Sequence, residues 1–158
     1  VHIRLGQQFH DREVQKEYFA ITAGPLDRDR DVIEAPIGRH PYQRDKMAIR
    51  DGHVTSRAAS TFYEVIARHG RFTQVRLRPK TGRTHQIRVH LAAFKHPLVG
   101  DTLYGCDPKL AAHLQLKRQW LHALKLGFIH PTAGEYVSFE SDGYPADLAN
   151  SLAILRSE

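Results

Sequence analysis

A single cysteine, Cys106, occurs in 158 residues, so no internal disulfide can form. That excludes a disulfide-stapled secreted domain and fits a reducing, cytoplasmic compartment. No apolar run approaches the roughly 20 residues of a membrane span. The charged opening Val1-His2-Ile3-Arg4 holds no signal-peptide core, and no membrane role is expected. Neither Cys-x-x-Cys nor His-Glu-x-x-His is present. His85 and His90 lie five apart and would not share a helix face, so eleven histidines do not amount to a metal site. Internal repeats and low-complexity tracts are absent too.

What is present is the composition of one folded domain with a core. Apolar residues make up 41% and charged residues 25%, which argues against disorder. Lysine plus arginine number 23 against 17 acidic residues, for a net charge of +6. That surplus favours a polyanionic partner. Arginine outnumbers lysine, and its planar fork suits phosphates and base edges. Val1 rather than methionine opens the chain; truncation, methionine removal or another start would each produce this.

The patterning predicts an α+β domain with a mixed, largely antiparallel sheet and flanking helices. His2 to Glu13 reads as a helix. Lys16 to Ala23 alternates as a strand, with Tyr18 and Ala20 on one face and Phe19 and Ile21 on the other. Residues 26–57 read as a charged, loop-rich stretch with a short strand from Val32 to Ile37. Thr61–Ile66 and Phe72–Leu77 form a hairpin around His69-Gly70. Thr84–Phe94 has helical spacing, with Ile87, Leu91 and Phe94 anchoring it. Pro108–Arg118 is a second helix, with proline in its first turn. Trp120–Ile129 and Tyr136–Phe139 are strands around a Pro131–Gly134 turn. Pro145–Leu155 closes the chain as a helix.

The densest chemistry lies in Arg78-Pro79-Lys80-Thr81-Gly82-Arg83-Thr84-His85-Gln86-Ile87-Arg88-Val89-His90. It joins a strand to a helix, where backbone N–H groups and the positive helix end attract anions. Lys80, Arg83 and Arg88 add full charges, and His85 and Arg88 are expected to face the same way. A solvated basic turn would carry the same pattern.

Thr81 to His90, followed by His96-Pro97-Leu98-Val99-Gly100-Asp101-Thr102-Leu103-Tyr104-Gly105, resembles the signature of the RluA-type pseudouridine synthases. Lys16-Glu17-Tyr18-Phe19-Ala20, Ile37-Gly38-Arg39-His40-Pro41, Lys46-Met47-Ala48, Trp120-Leu121-His122-Ala123 and His130-Pro131 extend the resemblance along the chain. It implies isomerisation of uridine to pseudouridine in RNA, without metal or organic cofactor. Large-subunit ribosomal RNA is the implied substrate, with transfer RNA the other candidate. The resemblance places Tyr18 against the target base and Arg88 beside a catalytic aspartate, with Leu121 lining the base pocket. Lys80, Arg83 and His85 would contact RNA. Arg39, His40, Arg44 and Lys46 either extend that RNA surface or form a solvated loop. Asp101 reads as a turn or cap residue.

One part of the family pattern is not in the sequence. The aspartate of that family lies in a His-Arg-Leu-Asp motif, and His2-Ile3-Arg4-Leu5-Gly6 only echoes it. Residues 1–158 are therefore expected to be a single partial catalytic domain. The aspartate and the N-terminal part of the sheet would lie upstream of Val1, and the isolated chain, expected to be a monomer, would be inactive. A catalytically dead RNA-binding module of the same fold is the alternative.

Overall fold

The computed structural model describes residues 2–10 and 14–158. Helix α1 spans His2–His10, and residues 11–13 of the expected helix lie outside the described residues. Strands β1 (Gln15–Ala23), β2 (Arg30–Glu34), β3 (Ile37–Arg39) and β4 (Met47–Ile49) follow. Then come β5 (Ser60–His69), β6 (Phe72–Pro79) and α2 (Gln86–Ala93). Helix α3 (Pro108–His113), β7 (Leu121–Ile129), β8 (Tyr136–Glu140) and α4 (Ala146–Arg156) complete the chain.

Six strands form one sheet in the order β2-β5-β6-β1-β7-β8, and β3 pairs with β4 separately. Every described strand pair is antiparallel, so the sheet is not mixed as the sequence allowed. β1 lies near the middle because both its faces carry apolar side chains. Ala20, Val75 and Leu77 pack with Ile87 and Leu91 of α2 and with Leu98 beyond it. Ile21 faces the other way, among Phe72, Leu114, Trp120, Leu148, Leu152 and Leu155. Each of these valine, leucine and isoleucine side chains stabilises the fold by about 1.5–3 kcal/mol when fully buried. Trp120 Nε1 donates to Ser151 Oγ at 2.7 Å, so the buried indole is satisfied.

Residues 26–57 are loop-rich as expected, with three short strands where the sequence predicts one. Four further expectations change. The strand expected over Val32–Ile37 stops at Glu34, because Pro36 cannot donate to a ladder, and Ile37 opens β3 in the second sheet. The helix expected from Thr84 begins at Gln86, since His85 has φ 55° and stands outside it. The helix expected to reach Arg118 ends at His113, where Gln115 turns to φ 53° and sends Leu116 into the core. Of the three expected anchors, Ile87 and Leu91 are deeply buried in α2, whereas Phe94, the residue after it, is 38% exposed, edge-on to Tyr63.

Candidate active site

Pro79 ends β6, and the turn to α2 is shaped from beneath by a buried chain of hydrogen bonds. Thr81 Oγ1 donates to Gln86 Oε1, and Arg83 N donates to the same oxygen at 3.1 Å. Gln86 Nε2 donates to Ser60 O at 3.0 Å and Thr61 Oγ1 at 2.9 Å. The Thr61 hydroxyl, already an acceptor, donates to His90 Nδ1 at 2.8 Å, and His90 Nε2–H donates to Ala35 O at 2.9 Å. These directions leave His90 as the neutral Nε2–H tautomer. Thr81, Gln86 and His90 therefore build the turn, and Arg83, His85 and Arg88 are what the turn presents.

Burial holds His90 below the ordinary imidazole value of 6.5, with the Ala35 hydrogen bond opposing that shift. As pH falls below 6.5 the unfolded chain takes up this proton first, so unfolding free energy declines with acidification until the folded-state value is passed. Urea titrations from neutral to acid pH should show that decline. His90→Asn should be about 1–3 kcal/mol less stable at neutral pH, from its lost buried hydrogen bonds. It should also have a shallower acid slope, the remainder coming from His85, which is shifted the same way. A slope parallel to the wild type would acquit His90.

Above the turn lies an open cleft of about 490 Å³. Tyr18 of β1, Leu121 of β7, Arg88 of α2 and the turn residues Arg83 and His85 all line it. These come from distant stretches of sequence, joined because Ala20 of β1 pairs with Leu121 and α2 packs over the same sheet face. Lys80, the sixth residue read from the sequence, lines an adjoining cavity of about 570 Å³ with Arg78, Lys125 and Phe62. Lys16 and Pro79 border both. Lys16 Nζ donates to Thr81 O at 3.1 Å, and burial lowers its pKa. Among the described residues no aspartate or glutamate lines the cleft.

Arg88 is held by a residue whose place in the sequence suggests only a turn or cap. Its Nε and Nη2 donate to the two oxygens of Asp101, each at 2.9 Å, in a bidentate fork. Asp101 is 1% exposed and its Oδ1 also accepts from Tyr104 N at 3.4 Å. Both its oxygens are engaged inside the protein and it does not line the cleft, so Asp101 is placed to hold Arg88 rather than to meet a substrate. Three guanidinium N–H groups of Arg88, two on Nη1 and one on Nη2, remain for the cleft. The Asp101 hydrogen bond raises the Arg88 pKa, so its charge is permanent. The only signal for Asp101 in the sequence was its place in the Val99-Gly100-Asp101 segment.

Tyr104 ties this pair to the turn. Its ring lies 5.0 Å from the Arg88 guanidinium. Its hydroxyl accepts from Met47 N at 2.9 Å and lies 2.8 Å from His85 Nδ1. The phenol and Nδ1 are both satisfied if the phenol donates to Nδ1, which puts the imidazole proton on Nε2. Burial, then the Arg88 charge, lower the His85 pKa, so His85 is a neutral ring. Its left-handed backbone turns the side chain back toward Tyr104, a conformation histidine tolerates better than β-branched residues. Burial raises the Tyr18 pKa, so this residue is a phenol and not a phenolate. Among the described residues no cluster of three or more His, Cys, Asp or Glu side chains could hold a metal ion. No described helix is long and apolar enough to cross a membrane.

The sequence and fold have relatives. A profile described as RNA pseudouridylate synthase matches residues 1–93. A Mycobacterium bovis protein named an uncharacterized RNA pseudouridine synthase is 46% identical over 154 residues, 98% of this chain and 49% of the relative. Ribosomal large subunit pseudouridine synthase D is 41% identical in Nitrosomonas europaea, covering 97% of this chain and 44% of the relative. In Escherichia coli K12 the protein of that name is 35% identical, covering 98% and 49%. The chain thus spans about half the length of these curated relatives. The solved structure of human RNA Pseudouridylate Synthase Domain Containing 4 superposes with a TM-score of 0.77 at 25% identity, over 98% of this chain and 67% of that one. Domain Containing 1 gives 0.73 at 28%, over 97% and 70%. By profile, by relatives and by fold, this chain belongs to the RNA pseudouridylate synthase family.

Proposed function

We propose that residues 1–158 form the base-holding and orienting part of an enzyme that isomerises uridine to pseudouridine in large-subunit ribosomal RNA. In that reaction the N1–C1′ bond of uridine breaks, the uracil turns, and a C5–C1′ bond forms. C5 loses a proton and N1 gains one, so the product is an isomer and no cofactor is consumed. The carrying observation is a cleft that joins an aromatic ring, an apolar wall and a fixed arginine but has no described carboxylate of its own. Such a cleft is complete for holding a base and incomplete for covalent chemistry.

Tyr18, as a neutral phenol, stacks on the flipped-out base, and Leu121 closes the apolar side. Stacking offsets part of the cost of unstacking the target nucleotide. Arg88, fixed by Asp101, turns its remaining N–H groups toward the attacking carboxylate, which residues outside this chain supply. Arg83, His85 and Lys80 contact the RNA around the target.

The test is tritium release from RNA labelled at uracil C5, with large-subunit ribosomal RNA and transfer RNA as substrates. The full-length gene product should release tritium from the ribosomal RNA, and the 158-residue chain should bind RNA and release none. Release by the chain alone would refute an external carboxylate. A full-length product that binds without release would be an RNA-binding module of this fold. Tyr18→Ala in the full-length protein should lower turnover more than RNA affinity, because aromatic stacking is worth about 1–3 kcal/mol per base and positions the reacting atoms as well. Equal losses in turnover and affinity would contradict the role given to Tyr18.

A further inference from the structure

Residues 38–57 form an arm that stands beside the cleft without lining it. β3 and β4 are its stem. The stem is anchored by Ile37, which packs with Val89 and Tyr104, with Met47 against them. It is also bonded to the cleft wall through Met47 N and the Tyr104 hydroxyl, which in turn meets His85. At the tip sits Tyr42, 91% exposed, more than any other large apolar or aromatic side chain described.

An exposed tyrosine on a floppy loop would carry little. This tip is pinned. His40 Nδ1 accepts from Tyr42 N and from Gln43 N, each at 3.1 Å. The His40 and Tyr42 rings meet edge to face, with centroids 6.2 Å apart and planes at 67°. The phenol is therefore braced by His40 while most of its ring surface stays open to solvent. The nineteen residues from Arg39 to Arg57 hold Arg39, Arg44, Lys46, Arg50 and Arg57 against Asp45 and Asp51 alone. This is half of the chain's net charge of +6. Among the described residues none of those five cations is in an ion pair. Arg39 and Arg44 are exposed beside the tip.

A rigidly presented aromatic face among unpaired arginines is the combination that binds single-stranded nucleic acid, the ring taking a base and the cations the phosphates. We propose that Tyr42 is a second stacking platform, which takes an unpaired nucleotide flanking the target uridine while Arg39 and Arg44 hold its phosphates. The proposal rests on the RNA reading of the cleft and extends it to how the substrate is chosen. The arm would favour targets with an unstacked neighbour over targets in continuous helix.

The test uses the 158-residue chain and an RNA hairpin whose loop carries a uridine and an adjacent 2-aminopurine. Anisotropy reports affinity, and quenching of the 2-aminopurine reports stacking. Tyr42→Ala should weaken binding by about five- to a hundredfold and abolish the quenching, whereas Tyr42→Phe, which keeps the ring face, should retain both. Arg44→Ala should weaken binding and reduce the salt slope by about one, because one phosphate contact is lost. With Tyr42 this exposed, none of these variants disturbs the core. Wild-type affinity and quenching in Tyr42→Ala would overturn the platform, and so would equal loss in Tyr42→Phe. Either result would leave the tritium assay of the full-length protein, and hence the proposed reaction, untouched. A full-length protein that shows Tyr42-dependent quenching but releases no tritium would fail the reaction and keep the platform. An absence of hairpin binding by the wild-type chain would overturn the platform.

Discussion

Asp101→Asn should lower uridine conversion by the full-length protein by about 100-fold, the scale of a misplaced catalytic group, while RNA affinity changes little. The substituted amide would keep the size of the side chain but set an N–H₂ group against the Nε–H or Nη2–H of Arg88. One arm of the fork is then repelled, and the guanidinium loses the orientation that two 2.9 Å bonds now impose. The effect should fall on kcat rather than KM, since Asp101 is 1% exposed and does not reach the cleft. Arg88→Ala should be at least as severe in turnover. It should also lower stability by about 3–5 kcal/mol, because an unpaired carboxylate would be left buried. Residues acting through one another are not additive. The double variant should therefore be no slower than Arg88→Ala alone. Multiplicative losses would show that Asp101 acts on something other than Arg88.

Gly100→Ala should lower the thermal midpoint by about 10 °C and remove activity with it. Gly100 has φ 89°. A Cβ there would overlap the carbonyl oxygen of Arg118 and lie 2.7 Å from its carbon. Neither atom can retreat, because the surrounding backbone is tied down. Val99 N donates to Ile21 O, Trp120 N to Val99 O, and Asp101 N to Leu98 O. The strained φ costs about 1–3 kcal/mol and the overpacking about as much again. For a chain of this size each kcal/mol moves the midpoint by about 2–4 °C. Whatever relaxes will shift Asp101, the next residue, and through it Arg88. Gly70→Ala is the comparison: it shares a positive φ but nothing lies within 4 Å of its Cβ, so it should show only the smaller backbone cost. Equal midpoints for the two alanine variants would refute the close contact at residue 100.

The strands were legible where two-residue alternation met apolar character. β1, the β5–β6 hairpin and β7 all lie within a few residues of the expected bounds, because a one-residue slip would turn Ile21 or Val75 out of a filled core. The middle of the chain was not legible. β3 and β4 are three residues each, too short for a period to be seen, and they exist because Ile37 and Met47 find Val89 and Tyr104 across the fold. The sequence pattern runs α2 back to Thr84, and the structure starts it only at Gln86, for a similar reason. Nothing local forces a histidine to φ 55°; the hydrogen bond to the distant Tyr104 hydroxyl accompanies that turn.

The candidate site divides along the same line. The sequence by itself determined that Tyr18, Arg88 and Leu121 occur in segments like those of one enzyme family, and that Arg83 and His85 sit in a strand-to-helix turn. Spacing carries that much because residues on one strand or one helix keep their relative directions. It could not assign partners. His90 and Gln86 stand in the same dense motif as Arg88, yet tertiary packing buries them as the struts beneath the turn. Asp101 looked like a turn residue, and only the closure of residues 98–101 against β1 and Trp120 brings its carboxylate onto Arg88. A side chain's type fixes what bonds it can make. Which of those bonds form is decided by the groups the fold brings within reach once water is excluded.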